Sequence, residues 1–220
     1  MYDRIYQIHS PEVVTLMKLF DYDGGFIRFV ILLSHLTLLN IIWTLCCLPV
    51  VTAGAATAAQ HYSALKLSQG DTHVLRNFKD GLKLHWKKSS LFWAAFLILS
   101  VSFGMGIYIL TTAIVPGKDI LATISTLAFL TMLLVTLWMF PVMVHFTGTF
   151  KEILFNAFMF AFMYAPVTLI AATFYGISLF LCMRYRIAAG LFLVFGQSLI
   201  VYANLALFHT VFKKYKTSGS

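Results

Sequence analysis

Acidic residues are scarce in this chain. Of 220 residues only eight are Asp or Glu, against sixteen Lys or Arg, and charge of either sign makes up 11% of the whole. A soluble domain carries about a quarter. Cysteine is rarer still: Cys46, Cys47 and Cys182 all fall in apolar stretches, and two of them are adjacent. That excludes a disulfide-stapled scaffold, and the 60% hydrophobic content excludes a disordered chain. It also exceeds what a soluble fold of this length can bury, which argues against a soluble enzyme. Motifs that hold metals are missing: no HExxH, HxxxH or CxxC occurs, and the acids pair with no histidine at ligand spacing. A glycine-rich phosphate loop is missing too. The expectation is therefore a non-enzymatic protein with no cofactor and no metal.

Between the few charges lie long windows without any: 29–65, 89–117, 120–150, 153–183 and 187–212. Each reaches the ~20 residues that carry a helix across a bilayer. The class that follows is all-α, a polytopic transmembrane helical bundle in one integral membrane domain over 1–220. Within it, 1–25 forms a cytoplasmic or interfacial tail, with Ser10-Pro11-Glu12 opening a short amphipathic helix. A first hairpin occupies 26–67, a basic amphipathic segment 72–89, a four-helix segment 90–211 and a basic tail 212–220. The first apolar run, from near Phe26, is expected to stay as an anchor. Five spans are plain, at about 26–48, 90–114, 120–144, 153–182 and 187–211. Pro166 should kink the fourth of these and free a carbonyl. Residues 50–67 are mildly apolar and dense in Ala and Gly; they either form a sixth span or lie in the interface.

Charge placement bears on that choice. If 50–67 crosses, one side of the membrane holds 13 of the 16 cations; otherwise it holds 10. The positive-inside tendency then favours six crossings in the bacterial cytoplasmic membrane, with both termini cytoplasmic. Because the cations sit between spans and not on one soluble face, nucleic acid is a poor partner, and anionic phospholipid a good one.

Residues 74–88 space Val74, Phe78, Leu82 and Trp86 every four residues, and Arg76, Asp80, Lys83 and Lys87 recur on the other side. This predicts a helix in the membrane plane, with Phe78 and Trp86 in the headgroup region and Lys83 and Lys87 on lipid phosphate. Three polar residues lie inside spans, where they are costly unless paired: Asn40, Gln197 and Asn204, the last two seven apart on one helix face. They read as inter-helical hydrogen-bond partners or, with Tyr164 and Tyr175, as the lining of a solute path. Trp43 before Pro49 and Trp138 before Pro141 form a faint internal echo.

The run Asn40-Ile-Ile-Trp43 followed by Leu48-Pro49-Val-Val-Thr52-Ala-Gly54-Ala-Ala56-Thr-Ala58-Ala59 resembles the YesL family of bacterial membrane proteins. The likeness extends to Leu82–Ser89, where His85 and Lys88 depart from that family's preferred Asn and Gln. The family carries no established activity; its members are often encoded beside sugar importers of the ATP-binding-cassette (ABC) type. The resemblance thus implies an accessory or scaffold component of carbohydrate uptake, with an ABC sugar-importer permease as partner. An autonomous small-solute carrier or channel is the alternative. The small residues around Gly54 and Ala58 suit close helix contact, either with such a permease or within the chain itself.

Overall fold

In the computed structural model, residues 25–112 and 117–216 are described. The expected N-terminal amphipathic helix, the turn at Pro116 and the end of the basic tail lie outside them. The described chain is helical throughout. Helix α1 covers Gly25–Cys47, a 3-10 turn covers Val50–Thr52, and α2 covers Ala53–Ser68. Then come α3 (Val74–Thr112), α4 (Lys118–His145), α5 (Phe150–Met163), α6 (Ala165–Arg184) and α7 (Arg186–Leu191). A π-helical turn, Phe192–Gly196, joins α7 to α8 (Gln197–Lys216). Five stretches are long and apolar enough to cross a membrane: α1, α3, α4, α6 and the run Arg186–Lys213.

Helix α2 is not one of them. Its 16 residues span about 24 Å, short of the ~30 Å hydrocarbon layer. It packs against the basic half of α3. Ser63 donates to the Val74 carbonyl, Tyr62 covers Gly81, and Gly54 meets Ser89 and Trp93. The turn between α1 and α2 is held at the same level, where Trp93 Nε1 donates to the Val50 carbonyl at 2.7 Å. Beyond Trp93, α3 continues as charge-free helix to Thr112, about 28 Å further.

Two expected boundaries shift. The segment 72–89 is not a separate interface helix: α3 runs unbroken for 39 residues, about 58 Å, through Ser89 and Ser90. No Gly–Pro signal interrupts it there, and the Ser89 hydroxyl donates back to the His85 carbonyl at 2.8 Å, which leaves the helix intact. Conversely, the stretch expected as one kinked span over 153–182 is two helices, broken at Tyr164 (φ −112°, ψ 43°). Pro166 supplies no N–H and crowds the preceding turn, so the chain leaves the helix two residues ahead of it. The Ala161 carbonyl, at the break, accepts from the Thr168 hydroxyl at 2.9 Å. Helix α5 starts at a capping box, with Thr149 and Glu152 exchanging side-chain and backbone hydrogen bonds.

The core forms two clusters. One gathers Trp138, Met139, Met143, Ile153, Phe160, Phe208 and Phe212 between α4, α5 and α8. The other joins Leu39, Ala56, Ala59, Val74, Phe78 and Val201 around α2. From Ala94 outward, α3 and the first half of α4 carry exposed Ile98, Val101, Met105, Ile124 and Leu127, a surface that only lipid or another apolar partner can cover.

Candidate functional site

The residues singled out from the sequence converge on α2 and the helices around it. Asn40 is fully buried on α1. Its amide nitrogen donates to the Phe192 and Leu193 carbonyls at 3.2 and 2.7 Å, and its oxygen accepts from the Ser198 backbone N–H at 2.8 Å. Phe192 and Leu193 open the π turn and Ser198 lies just past it in α8; the wide ring of such a turn leaves main-chain groups without ordinary helical partners. In a span such groups cannot turn to water, so a carboxamide from a neighbouring helix supplies what is missing. The next tie was not legible in advance: Gln60 Nε2 of α2 donates to the Ser198 hydroxyl at 2.8 Å, both side chains buried. Its only signal was a Gln among alanines.

Trp43 and Pro49 sit at the top of the first hairpin. Trp43 Nε1 donates to the Thr57 hydroxyl at 3.2 Å, and Thr52, just beyond Pro49, donates to the Cys46 carbonyl at 2.5 Å, closing the turn. The sequence echo has a geometric counterpart. Trp138 Nε1 donates to the Thr168 hydroxyl at 2.8 Å, so each tryptophan latches onto a threonine of a later helix. Nothing but the Trp–Pro echo pointed to Thr57 and Thr168.

Gly54 and Ala58 face inward. A Cβ on Gly54 would stand 2.3 Å from Trp93 Cβ and 2.8 Å from the Ser89 carbonyl oxygen. Ala58 is fully buried in the cluster of Phe92 and Met139. The close contact that the small residues permit is therefore internal, and the reading that offers it to a permease is corrected. Small side chains on α2 let the α3 backbone approach so nearly that no partner fits between.

The basic segment divides. Phe78 is buried against α2, where the alanine surface displaces lipid, whereas Trp86 is about half exposed beside exposed Lys83 and Lys87. The Lys87 ammonium lies 5.7 Å from the Trp86 ring centroid. The expectation that Phe78 enters the headgroup region is thus corrected; Trp86, Lys83 and Lys87 remain outward. His85 is buried beside Tyr62, and burial, aided by Lys88, lowers its pKa. Lys88 itself donates to the Gly148 carbonyl at 2.5 Å, tying α3 to the α4–α5 loop. At the start of α3, Asp71 accepts from the His73 backbone N–H at 3.1 Å and pairs with Arg76. The backbone bond first, and then the side-chain partners, hold its carboxyl down at about 2.

Gln197 and Asn204 are both buried on α8, and Tyr175 of α6 brings its hydroxyl to their carboxamides. Neither polar atom of Asn204 reaches a partner in full hydrogen-bond geometry, nor does Gln60 Oε1. Asn40 is spent instead on the π turn and the first turn of α8. Tyr164 is the break between α5 and α6. Among the described residues, no three His, Cys, Asp or Glu side chains cluster as metal ligands.

No curated protein and no solved structure matches the chain. Residues 36–107 match the model of a family described as a protein of unknown function, DUF624. The matched stretch runs from the buried face of α1 through α2 to the charge-free half of α3, and so takes in the Asn40–Ala59 motif and the basic segment together.

Proposed function

We propose that this protein is a non-enzymatic accessory or scaffold component of carbohydrate uptake, working beside an ABC sugar-importer permease. The link to sugar importers comes from the resemblance to the YesL family. The observation that supports a scaffold over a carrier is Asn40. This fully buried intramembrane amide is committed at both ends to the chain's own backbone, at the π turn and the first turn of α8, which is the behaviour of a structural rivet. With α2 packed inside, the surfaces left for a permease are the outer half of the α3–α4 hairpin and the exposed sides of α6.

A strain lacking the gene is expected to take up the oligosaccharide of the neighbouring importer more slowly, and the tagged protein should retain the permease in mild detergent. Normal growth on every such oligosaccharide would sink the accessory reading. A second reading, an autonomous small-solute carrier, draws support from the unpartnered carboxamide of Asn204 beside Tyr175 and Gln197. Asn204→Leu separates the two: it should leave uptake through the importer unchanged in the accessory reading and abolish transport in the carrier reading.

The orientation we propose is that residues 74–88 and both termini face the cytoplasm of a bacterial cell. The turn at Pro49 packs beside Trp93, where the charge-free half of α3 begins, so the label at residue 5 decides on which side α1 starts. Single cysteines at 5, 118, 185 and 216 test this with an impermeant thiol reagent on intact cells. Label at 118 and 185 alone is expected. Label at 5 without label at 216 would mean that α1 crosses and α2 does not return.

A further inference from the structure

A groove of about 510 Å³ opens on the surface between the end of α1, the 3-10 turn and α3. Leu45, Cys46 and Pro49 form one wall, Ala55 of α2 the floor, and Leu82 and Trp86 of α3 the other wall, with Lys83 at the rim. The volume falls within the ~300–1,000 Å³ usual for small-molecule sites, and the lining is apolar apart from Thr52, Ser90 and that lysine. Thr52 is already spent, donating to the Cys46 carbonyl. Lys83 is exposed, and Lys87 one turn on stands over the Trp86 ring. The groove therefore has an apolar body and a cationic mouth. The mouth sits where the charges of α3 end and its charge-free window, from residue 89, begins. A tryptophan at such a boundary is in its preferred place at the headgroup level.

We propose that this groove is a binding site for one anionic phospholipid, with an acyl chain along Leu45, Ala55 and Trp86 and the phosphate on Lys83. A neutral apolar ligand would leave the lysine without a purpose at the mouth, and a soluble anion would leave the apolar walls uncovered. Only an amphiphile with a negative head uses both. The site rests on the reading that residues 74–88 lie at the membrane surface.

Full-length protein in nanodiscs tests the two ideas separately. In discs of brominated phosphatidylcholine, bromine should quench a component of the fluorescence that Trp86→Phe removes. If the quenching is the same with and without Trp86, residues 74–88 are not at the membrane surface, and that reading falls. In phosphatidylcholine discs with a minor share of brominated phosphatidylglycerol, quenching of Trp86 should exceed what the bulk mole fraction gives. Lys83→Ala should cut that preference about fivefold, the upper end for losing one direct, exposed ion pair with the phosphate. Lys79→Ala, exposed on the same helix but off the groove, should leave it within about twofold. Quenching no greater than the bulk share, or equal losses in the two variants, would overturn the site and leave only a diffuse basic surface.

Discussion

Between Val74 and Trp93, helix α3 buries Val74, Asn77, Phe78, Gly81, His85, Ser89 and Phe92; between Ala94 and Thr112 it buries nothing. The buried set recurs every three or four residues, the stripe that a helix presents to one neighbour. Four of its seven members are polar or glycine, while the exposed outer half is Ile, Leu, Val, Met and Tyr. Hydrophobicity thus fails to say which side of this helix is the interior. In the outer half the surroundings are as apolar as the side chains, so packing has nothing to gain from burying them. In the inner half, contact is won by fit: small residues on α2, glycine at Gly81, and aromatic rings laid over both.

The sharpest way to test that contrast is to overfill each half. Gly54→Leu should cost at least the upper end of the ~1–3 kcal/mol usual for overpacking, because Trp93 and the Ser89 backbone already fill the space. Gly104→Leu, with nothing within 4 Å of its missing Cβ, should leave stability unchanged or slightly higher. Membrane abundance and melting temperature in detergent read both, and equal losses would erase the distinction between the halves.

Next in size is Asn40→Leu, which strips the Phe192 and Leu193 carbonyls and the Ser198 N–H of their partner at once. About 2–3 kcal/mol of lost stability is expected, since water cannot replace the amide at that depth. The two tryptophan latches should differ in the same sense as the two regions. Trp138→Phe, in the fully buried cluster, should cost about 1–3 kcal/mol, and Trp43→Phe, half-buried, about half of that. A larger loss at Trp43 would show that the first hairpin, and not the α4–α8 core, dominates stability.

The inner half alone should respond to mild acid. His85 is held neutral by burial, with its pKa below the ordinary 6.5. Above 6.5 neither the folded nor the unfolded state gains a proton; below it the unfolded state does first. Stability should therefore fall from pH 6.5 downward, by at most ~1.4 kcal/mol per pH unit until the folded pKa is reached. Melting temperatures at pH 7.5, 6.5 and 5.5 check this, and His85→Gln should lessen the slope without abolishing it, because buried His61 of α2 is likewise held neutral. The smallest effect belongs to Asp71. Its carboxyl titrates low, near 2, so the contribution of this exposed cap is present at neutral pH and fades only as pH drops from 3.8 through 2. Asp71→Asn should shift the melting temperature less than any variant above.

Much of the membrane class could be read directly from residue order. Crossing capacity is a local sum over about twenty residues, so charge-free windows alone located five apolar helices of spanning length. The Pro166 break was legible because proline's missing N–H is a property of the residue itself, although the chain yields two positions earlier, at Tyr164. The short helix at α2 was legible as an Ala- and Gly-rich run, and its length explains why hydropathy left it between two readings. Asn40 stood out as a polar group that a span must satisfy and Trp43 as half of an internal echo, but nothing nearby in the chain names Phe192, Ser198 or Thr57 as their partners.

Those partners were decided by tertiary structure. Phe78 and Trp86 have like chemistry, yet one is covered by α2 and the other left open, because eight residues turn the helix about 80° away from the stripe through Phe78, His85 and Ser89 that α2 covers. Gly54 could have served a partner protein until the Trp93 side chain was found against it. The groove beside Lys83 exists only because the end of α1, the turn at Pro49 and the middle of α3 meet, three segments separated by up to 45 positions between Leu45 and Ser90. Composition and periodicity report which solvent each residue can tolerate. Which neighbour excludes that solvent depends on shape and distance between segments far apart in the chain, and neither is a property of any local window.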